Sequence, residues 1–231
     1  TALTAFLPVQ AETHGTDVQK FDLLLTIEFS CVIIKILVFY RGWCERNGGF
    51  FMIECSGISK HFRVARREAG FRNACKAFFR RETTVVPALD NISFSIADGE
   101  MVGYIGPNGA GKSTTIKIMC GVLTPDSGSC IINGRTPWLN RTAHVAEIGV
   151  VFGQRSQLWW DLPVGDSFAL LGDIYGMKKA DAADSLAELN RILALDELLR
   201  TPTRQLSLGQ RMRCEIAAAL LHRPKLLFLD E

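Results

Sequence analysis

A glycine-rich segment constrains the fold of this chain more than any other feature. Residues 106–114 read G-P-N-G-A-G-K-S-T, between the apolar run Met101–Ile105 and a helix-forming segment at residues 112–120. In such a loop the glycines turn backbone N–H groups toward a polyphosphate, the lysine reaches the β- and γ-phosphates, and the serine hydroxyl holds magnesium. The helix N-terminus adds its positive dipole end. The sequence therefore predicts a nucleoside triphosphate site.

Two further segments indicate the kind of triphosphate protein. L-S-L-G-Q at residues 206–210 precedes apolar residues at helical spacing, so its serine and glycine fall at a helix N-terminus that favours an anion. Taken alone, this segment is also typical of an ordinary capped helix. L-L-F-L-D-E at residues 226–231 follows Pro224 and is an apolar run that ends in two carboxylates. This pattern predicts a buried parallel strand that brings both carboxylates to the ligand-binding edge of a sheet.

The order of these motifs, with Gln154 directly after an apolar strand at residues 148–152, resembles the ATP-binding subunits of ABC transporters. The resemblance covers residues 52–231. Insertions comparable to residues 63–82 appear in cassettes of ABC-2-type exporters, which favours an exporter of that type. It implies an α/β fold: a P-loop NTPase core with an antiparallel β subdomain and a small helical subdomain at about residues 157–205.

The resemblance also implies functional residues. Residues expected to contact ATP are Phe62, Gly106, Asn108, Gly109, Ala110, Gly111, Lys112, Ser113, Thr114, Ser207, Gly209 and Gln210. Phe62 would stack on the adenine ring, although an aromatic at a strand end is also typical of a core position. Ser113, Gln154 and Asp230 would hold Mg²⁺, Gln154 would also contact the attacking water, and Glu231 would orient or deprotonate that water.

The implied function is ATP binding and hydrolysis that powers transport of an unknown substrate, with a second ATP-binding subunit in a head-to-tail dimer. Transmembrane permease subunits are the expected partners, at the cytoplasmic face of the membrane. Alternatives are a soluble ABC ATPase acting on ribosomes or DNA, and a non-catalytic regulatory cassette. The net charge of +2 argues against a nucleic-acid partner, and the chain has no N-K-x-D stretch of guanine-nucleotide switches.

The resemblance predicts that this chain is a fragment, because the family's aspartate loop and switch histidine would follow Glu231. We expect such a fragment to bind ATP weakly and to hydrolyse it poorly. Residues 1–51 lie outside the resemblance and are expected to be an extension foreign to the cassette. Residues 23–40 are long and apolar enough to suggest a membrane-spanning helix. Glu28 and Lys35 interrupt this stretch and disfavour that interpretation.

Two surface features suggest partners. Residues 63–82 carry seven Lys or Arg against two Glu. Within them, residues 71–80 fit a basic amphipathic helix, suited to a membrane surface or to packing on the cassette itself. Trp159 and Trp160 follow Gln154, and we expect one of them to face a partner. The alternative is ordinary packing under the helical subdomain. The seven scattered cysteines form no C-x-x-C pair and indicate reduced thiols.

Overall fold

The structure is a computed structural model that describes residues 5–8, 33–38, 53–65, 83–153 and 155–230. Its strands are β1 (Ala5–Pro8), β2 (Ile33–Val38), β3 (Ile53–Ala65), β4 (Thr83–Ile96), β5 (Met101–Ile105), β6 (Ser127–Ile132), β7 (Ile148–Phe152) and β8 (Leu226–Asp230). Its helices are α1 (Lys112–Met119), α2 (Arg141–Val145), α3 (Val164–Ile174), α4 (Lys179–Leu193) and α5 (Leu208–Leu220), with a 3₁₀ turn at Thr203–Gln205.

The larger sheet holds five strands in the order β1-β5-β2-β8-β7. β7 and β8 pair in parallel, with Phe152 opposite Asp230 at their carboxyl ends. β2 is antiparallel to both β5 and β8, so β5 runs in the same direction as β7 and β8. The predicted strand at the end of the chain is confirmed, and its carboxyl end shares one sheet edge with that of β5.

Two strands of this sheet come from residues 1–51, which we expected to stand apart from the cassette. β1 pairs with one side of β5, and β2 pairs with its other side and with β8. Between β5 and β8 the sheet has room for one strand, and backbone N–H and C=O groups on their facing sides need hydrogen-bond partners. The division of the chain at residue 52 remains a prediction.

The smaller sheet is antiparallel, in the order β4-β3-β6. β3 and β4 pair along most of their length with register shifts near Ile58, and the turn at residues 97–100 leads from β4 into β5. Residues 63–65, which begin the basic stretch, lie on β3. The predicted basic helix falls within residues 66–82, which lie outside the described residues.

Two hydrophobic cores organise the described residues. The first lies between the sheets and α1, where Tyr104, Ile116 and Phe228 are completely buried. The second joins α3, α4 and α5 to β7 and β8, through residues such as Phe168, Val151 and Leu227. α3, α4 and the 3₁₀ turn lie within the range predicted for the helical subdomain.

No helix in the described part of the chain is long and apolar enough to cross a bilayer.

Candidate functional site

The glycine-rich loop joins β5 to α1, and two of its glycines adopt the left-handed conformation. Gly109 has φ +82° and Gly111 has φ +85°. A Cβ atom at Gly111 would lie 2.4 Å from the Ala88 carbonyl oxygen, whereas a Cβ at Gly109 would meet no atom within 4 Å. Gly111 is the N-cap of α1 and has no side chain to cap the helix. The N–H groups of the first turn are therefore left for an anion.

Lys112 covers the same loop from the first turn of α1. Its side chain is 6% exposed, and its ammonium group donates hydrogen bonds to the Gly106 carbonyl at 2.6 Å and the Pro107 carbonyl at 2.9 Å. A buried cation is costly unless it is hydrogen-bonded, and two carbonyl acceptors meet that requirement here. The positive charge is thus held directly over the loop that the sequence predicts to bind phosphates.

The next residue, Ser113, contacts the end of β8. Its hydroxyl donates a hydrogen bond of 3.1 Å to a carboxylate oxygen of Asp230, although 117 positions separate the two residues in the chain. Asp230 is 8% exposed. A hydroxyl and a carboxylate are oxygen ligands of the kind that Mg²⁺ prefers. This pair therefore fits the predicted metal site, with Ser113 and Asp230 brought together by the tertiary fold.

The two predicted catalytic residues, Gln154 and Glu231, lie outside the described residues. Their neighbours in the chain meet at the sheet edge: the Gly153 N–H donates a hydrogen bond of 2.8 Å to the Asp230 carbonyl. The roles assigned to Gln154 and Glu231 stay predictions.

The L-S-L-G-Q segment begins α5, as its periodicity predicted. Ser207 is the N-cap: its hydroxyl accepts a hydrogen bond from the Gln210 N–H at 3.3 Å, and the Ser207 N–H donates to the Gln210 side-chain oxygen at 2.9 Å. This reciprocal pair is a capping box. Leu208 is 69% exposed, and a Cβ at Gly209 would meet no atom within 4 Å. The start of α5 therefore presents an open surface.

Phe62 lies on β3 with 37% of its surface exposed. The Lys60 ammonium lies 6.0 Å from the centre of its ring. Asp126 holds this part of the strand, because its two carboxylate oxygens accept hydrogen bonds of 2.7 Å each from the Lys60 ammonium and the His61 N–H. The Lys60 and His61 bonds lower the pKa of the Asp126 carboxyl. The exposed ring is open to stacking, and its contact with adenine stays a prediction.

Glu215 was not identified from the sequence. It lies on α5 with 7% exposure and accepts a hydrogen bond of 3.0 Å from the Gln157 N–H and another from the Ser156 hydroxyl. Its spacing from Met212 and Ala219 places it on the apolar face of the helix. A glutamate on the apolar face of a helix indicates that its carboxylate has a buried polar partner. This position in the helical pattern is the sequence feature that could have identified Glu215.

A strand, a glycine-rich loop, a helix that begins with the lysine and a parallel strand that ends in aspartate together define a P-loop nucleoside triphosphatase. Solved structures show the same fold. An ATP-binding subunit of an ABC transporter superposes with a TM-score of 0.55 and 22% identity, over 75% of this chain and 63% of that one. The cbiO1 protein of Clostridium perfringens, part of the transporter complex cbiONQ, gives a TM-score of 0.53 and 20% identity over 76% of this chain and 63% of that one.

The family follows from the sequence comparison. The family model for the ABC transporter domain matches residues 89–231, which is more than half of the chain, and the chain therefore belongs to the ABC transporter family. This result confirms the resemblance and the fold class stated above.

Curated relatives are similar over the same region. The chain is 33% identical to the probable multidrug ABC transporter ATP-binding protein YbhF of Escherichia coli, over 62% of this chain and 25% of that protein. It is 36% identical to the linearmycin resistance ATP-binding protein LnrL of Bacillus subtilis, over 62% and 46%. It is 39% identical to the methionine import ATP-binding protein MetN of Mesorhizobium japonicum, over 66% and 42%. The chain thus spans less than half the length of these relatives.

Proposed function

We propose that this chain binds ATP with Mg²⁺ and hydrolyses it, as the ATPase part of a transporter that exports a substrate across a membrane. One observation carries the proposal: the hydroxyl of Ser113, at the start of the phosphate-loop helix, lies 3.1 Å from the Asp230 carboxylate. Lys112, the residue before Ser113, is buried, and its ammonium bonds the Gly106 and Pro107 carbonyls of the loop. Phosphoryl transfer depends on positioned cations, N–H groups and a water-orienting residue rather than on covalent chemistry, so this combination suits it.

Each residue has a role in that chemistry. Lys112 exchanges its two carbonyl acceptors for phosphate oxygens, and the N–H groups that follow Gly111 bind the same anion. Ser113 and Asp230 would hold Mg²⁺, with Asp230 acting through water. When bound, Mg²⁺ neutralises charge on the phosphates. Gln154 and Glu231 place the attacking water, and Glu231 takes its proton.

The site is completed by a second copy or a related subunit in head-to-tail arrangement. Ser207, Gly209 and Gln210 then contact the ATP held by the opposite loop. Supporting this, the start of α5 is open, with Leu208 69% exposed and no atom within 4 Å of a Cβ at Gly209. The N–H groups at this helix N-terminus favour an anion.

The membrane partner is a transmembrane permease, contacted at the cytoplasmic face. Trp159 is 39% exposed and Trp160 is 52% exposed, so two large aromatics that follow Gln154 remain partly open to solvent. Exposed aromatic residues are enriched at protein interfaces. Export is the direction we assign, since YbhF is described as a probable multidrug transporter protein and LnrL as a resistance protein, although MetN is described as an import protein.

Replacement of Lys112 tests the nucleotide site. Lys112→Ala should lower the affinity for a fluorescent ATP analogue by about tenfold or more, because a charge-assisted contact to phosphate is removed. The matched control is Lys117→Ala, which removes an exposed lysine from the same helix. In the assembled transporter the Lys112 variant should also abolish ATP turnover and substrate export.

Equal affinities for Lys112→Ala, Lys117→Ala and the parent chain, with MgATP turnover retained, would refute the proposed site. Omission of Mg²⁺ should reduce turnover in the parent, and Asp230→Asn should reproduce that loss at saturating ATP. Export and import are separated by the side of the membrane on which substrate accumulates in proteoliposomes.

A further inference from the structure

A buried carboxylate ties two motifs that are far apart in the sequence. We call residues 153–163 the glutamine loop and α5 the signature helix. Glu215 lies in the middle of the signature helix with 7% exposure. One of its carboxylate oxygens accepts the Gln157 N–H at 3.0 Å, and the other accepts the Ser156 hydroxyl. Both oxygens are thus committed to the glutamine loop.

Further contacts join the same two segments nearer the surface. The Arg211 guanidinium, one turn before Glu215, lies 5.7 Å from the centre of a ring of Trp160. Just ahead of the signature helix, the Arg204 N–H donates to the Trp160 carbonyl at 3.0 Å, and the Arg204 guanidinium pairs with Asp161 at 2.7 Å. The Arg204–Asp161 ion pair is exposed to solvent, so it contributes little to holding the two segments together. The hydrogen bonds of Glu215 are shielded from solvent by burial.

The glutamine loop is also fixed on its other side to the larger sheet. The Gly153 N–H donates to the Asp230 carbonyl at 2.8 Å, and the Gln157 side-chain amide donates to the Val150 carbonyl. Gln154 therefore lies in a short stretch with β8 contacts before it and Glu215 contacts after it. In the chain, Arg155 is the one residue between Gln154 and Ser156, the nearer of the two Glu215 partners.

We propose that Glu215 is a positioning residue that makes the glutamine loop and the signature helix move as one body when nucleotide binds. The inference rests on the proposed function, in which Gln154 places the attacking water and Ser207 and Gly209 contact ATP in trans. Glu215 lies seven positions after Leu208 on the helix, about 10 Å along its axis at 1.5 Å per residue. A helix of that length is stiff, so a shift imposed at Glu215 reaches the signature residues.

The chemistry requires two acceptors at this position. Glu215→Ala leaves the Gln157 N–H and the Ser156 hydroxyl without their partner and opens a gap between loop and helix. Glu215→Gln keeps one acceptor oxygen, and its amide can donate to the Ser156 hydroxyl. The glutamine variant should therefore restore most of what the alanine variant loses.

Hydrogen exchange with and without MgATP tests the coupling in the full chain. In the parent, saturating MgATP should slow exchange in residues 106–115 and change exchange in residues 155–163 and 207–213 together. In Glu215→Ala, the response at residues 106–115 should remain and the response at residues 207–213 should be lost. Absence of any response at residues 106–115 in the parent would contradict the proposed nucleotide site itself, and a joint response that persists in Glu215→Ala would overturn the coupling.

Kinetics of the assembled transporter give a second readout. Glu215→Ala should lower kcat by about tenfold to a hundredfold with KM for ATP nearly unchanged, since a small misplacement of a transition-state contact has that effect. Glu215→Gln should recover most of kcat. The matched control is Glu188→Ala, which removes a half-exposed glutamate paired with Arg223. A kcat for Glu215→Ala equal to that of the control, or a loss confined to KM, would overturn the assignment.

Discussion

Gly111 and Gly109 allow a direct measurement of what close packing contributes to the phosphate loop. Both have nearly the same left-handed φ, +85° and +82°, so alanine at either position meets the same backbone penalty of about 1–2 kcal/mol. Their surroundings differ. A Cβ at Gly111 would lie 2.4 Å from the Ala88 carbonyl oxygen and 2.4 Å from Leu89 Cδ2, whereas a Cβ at Gly109 would meet nothing within 4 Å.

The contact at Gly111 cannot be relieved by a side-chain rotation alone, because one of the two atoms belongs to the backbone of β4. Forcing extra volume into a packed site costs about 1–3 kcal/mol more. Gly111→Ala should therefore lower the free energy of unfolding by about 2–5 kcal/mol, the sum of the two penalties. Gly109→Ala should lower it by the backbone penalty of about 1–2 kcal/mol alone.

Urea titration followed by circular dichroism measures both values, provided that the slope m is the same in each variant. The difference between the two variants isolates the packing penalty from the conformational one. If Gly111→Ala is no less stable than Gly109→Ala, the loop does not pack on residues 88 and 89 as described, and the reasoning fails.

Two further outcomes can be measured on the same chain. The His144 imidazole is buried, and its Nε2 donates a hydrogen bond of 2.7 Å to the Met119 carbonyl. Burial lowers the pKa of His144 below the ordinary value of 6.5. The unfolded chain then binds more protons just below that pH, so unfolding free energy should fall as pH drops from about 6.5 toward 5, and His144→Gln should flatten part of this slope in urea titrations. Ser207→Ala should cost about 1 kcal/mol of stability through loss of the capping box. Ser207→Asp should keep that stability but abolish turnover in the assembled transporter, since it puts negative charge against the opposing phosphate; turnover equal to that of the parent would contradict contact in trans.

Motifs formed by consecutive residues were predictable, because the conformation of each depends on interactions between neighbouring residues. The glycine loop, the helix that follows it and the apolar strand Leu226–Asp230 depend on residue types within a few positions. The capped start of α5 was predictable for the same reason. The family resemblance added the overall fold, which the family match and the solved structures confirm.

Contacts between distant segments could not be predicted from local pattern. The sequence did not indicate that β2 would lie between β5 and β8. The residue types of a largely apolar run such as residues 33–38 do not specify which strands it pairs with. Nor did it indicate that Glu215 would bind the glutamine loop across 58 positions.

The amino-acid sequence by itself determined a phosphate-binding loop, a capped signature helix and an aspartate at a strand end, since each follows from the conformational preferences of neighbouring residues. Only the tertiary structure decided that Ser113 meets Asp230 and that Glu215 holds Gln157. The physical reason is that such pairs form when sheet pairing and core packing bring separate segments together. The type of a residue does not specify which distant residue it will contact.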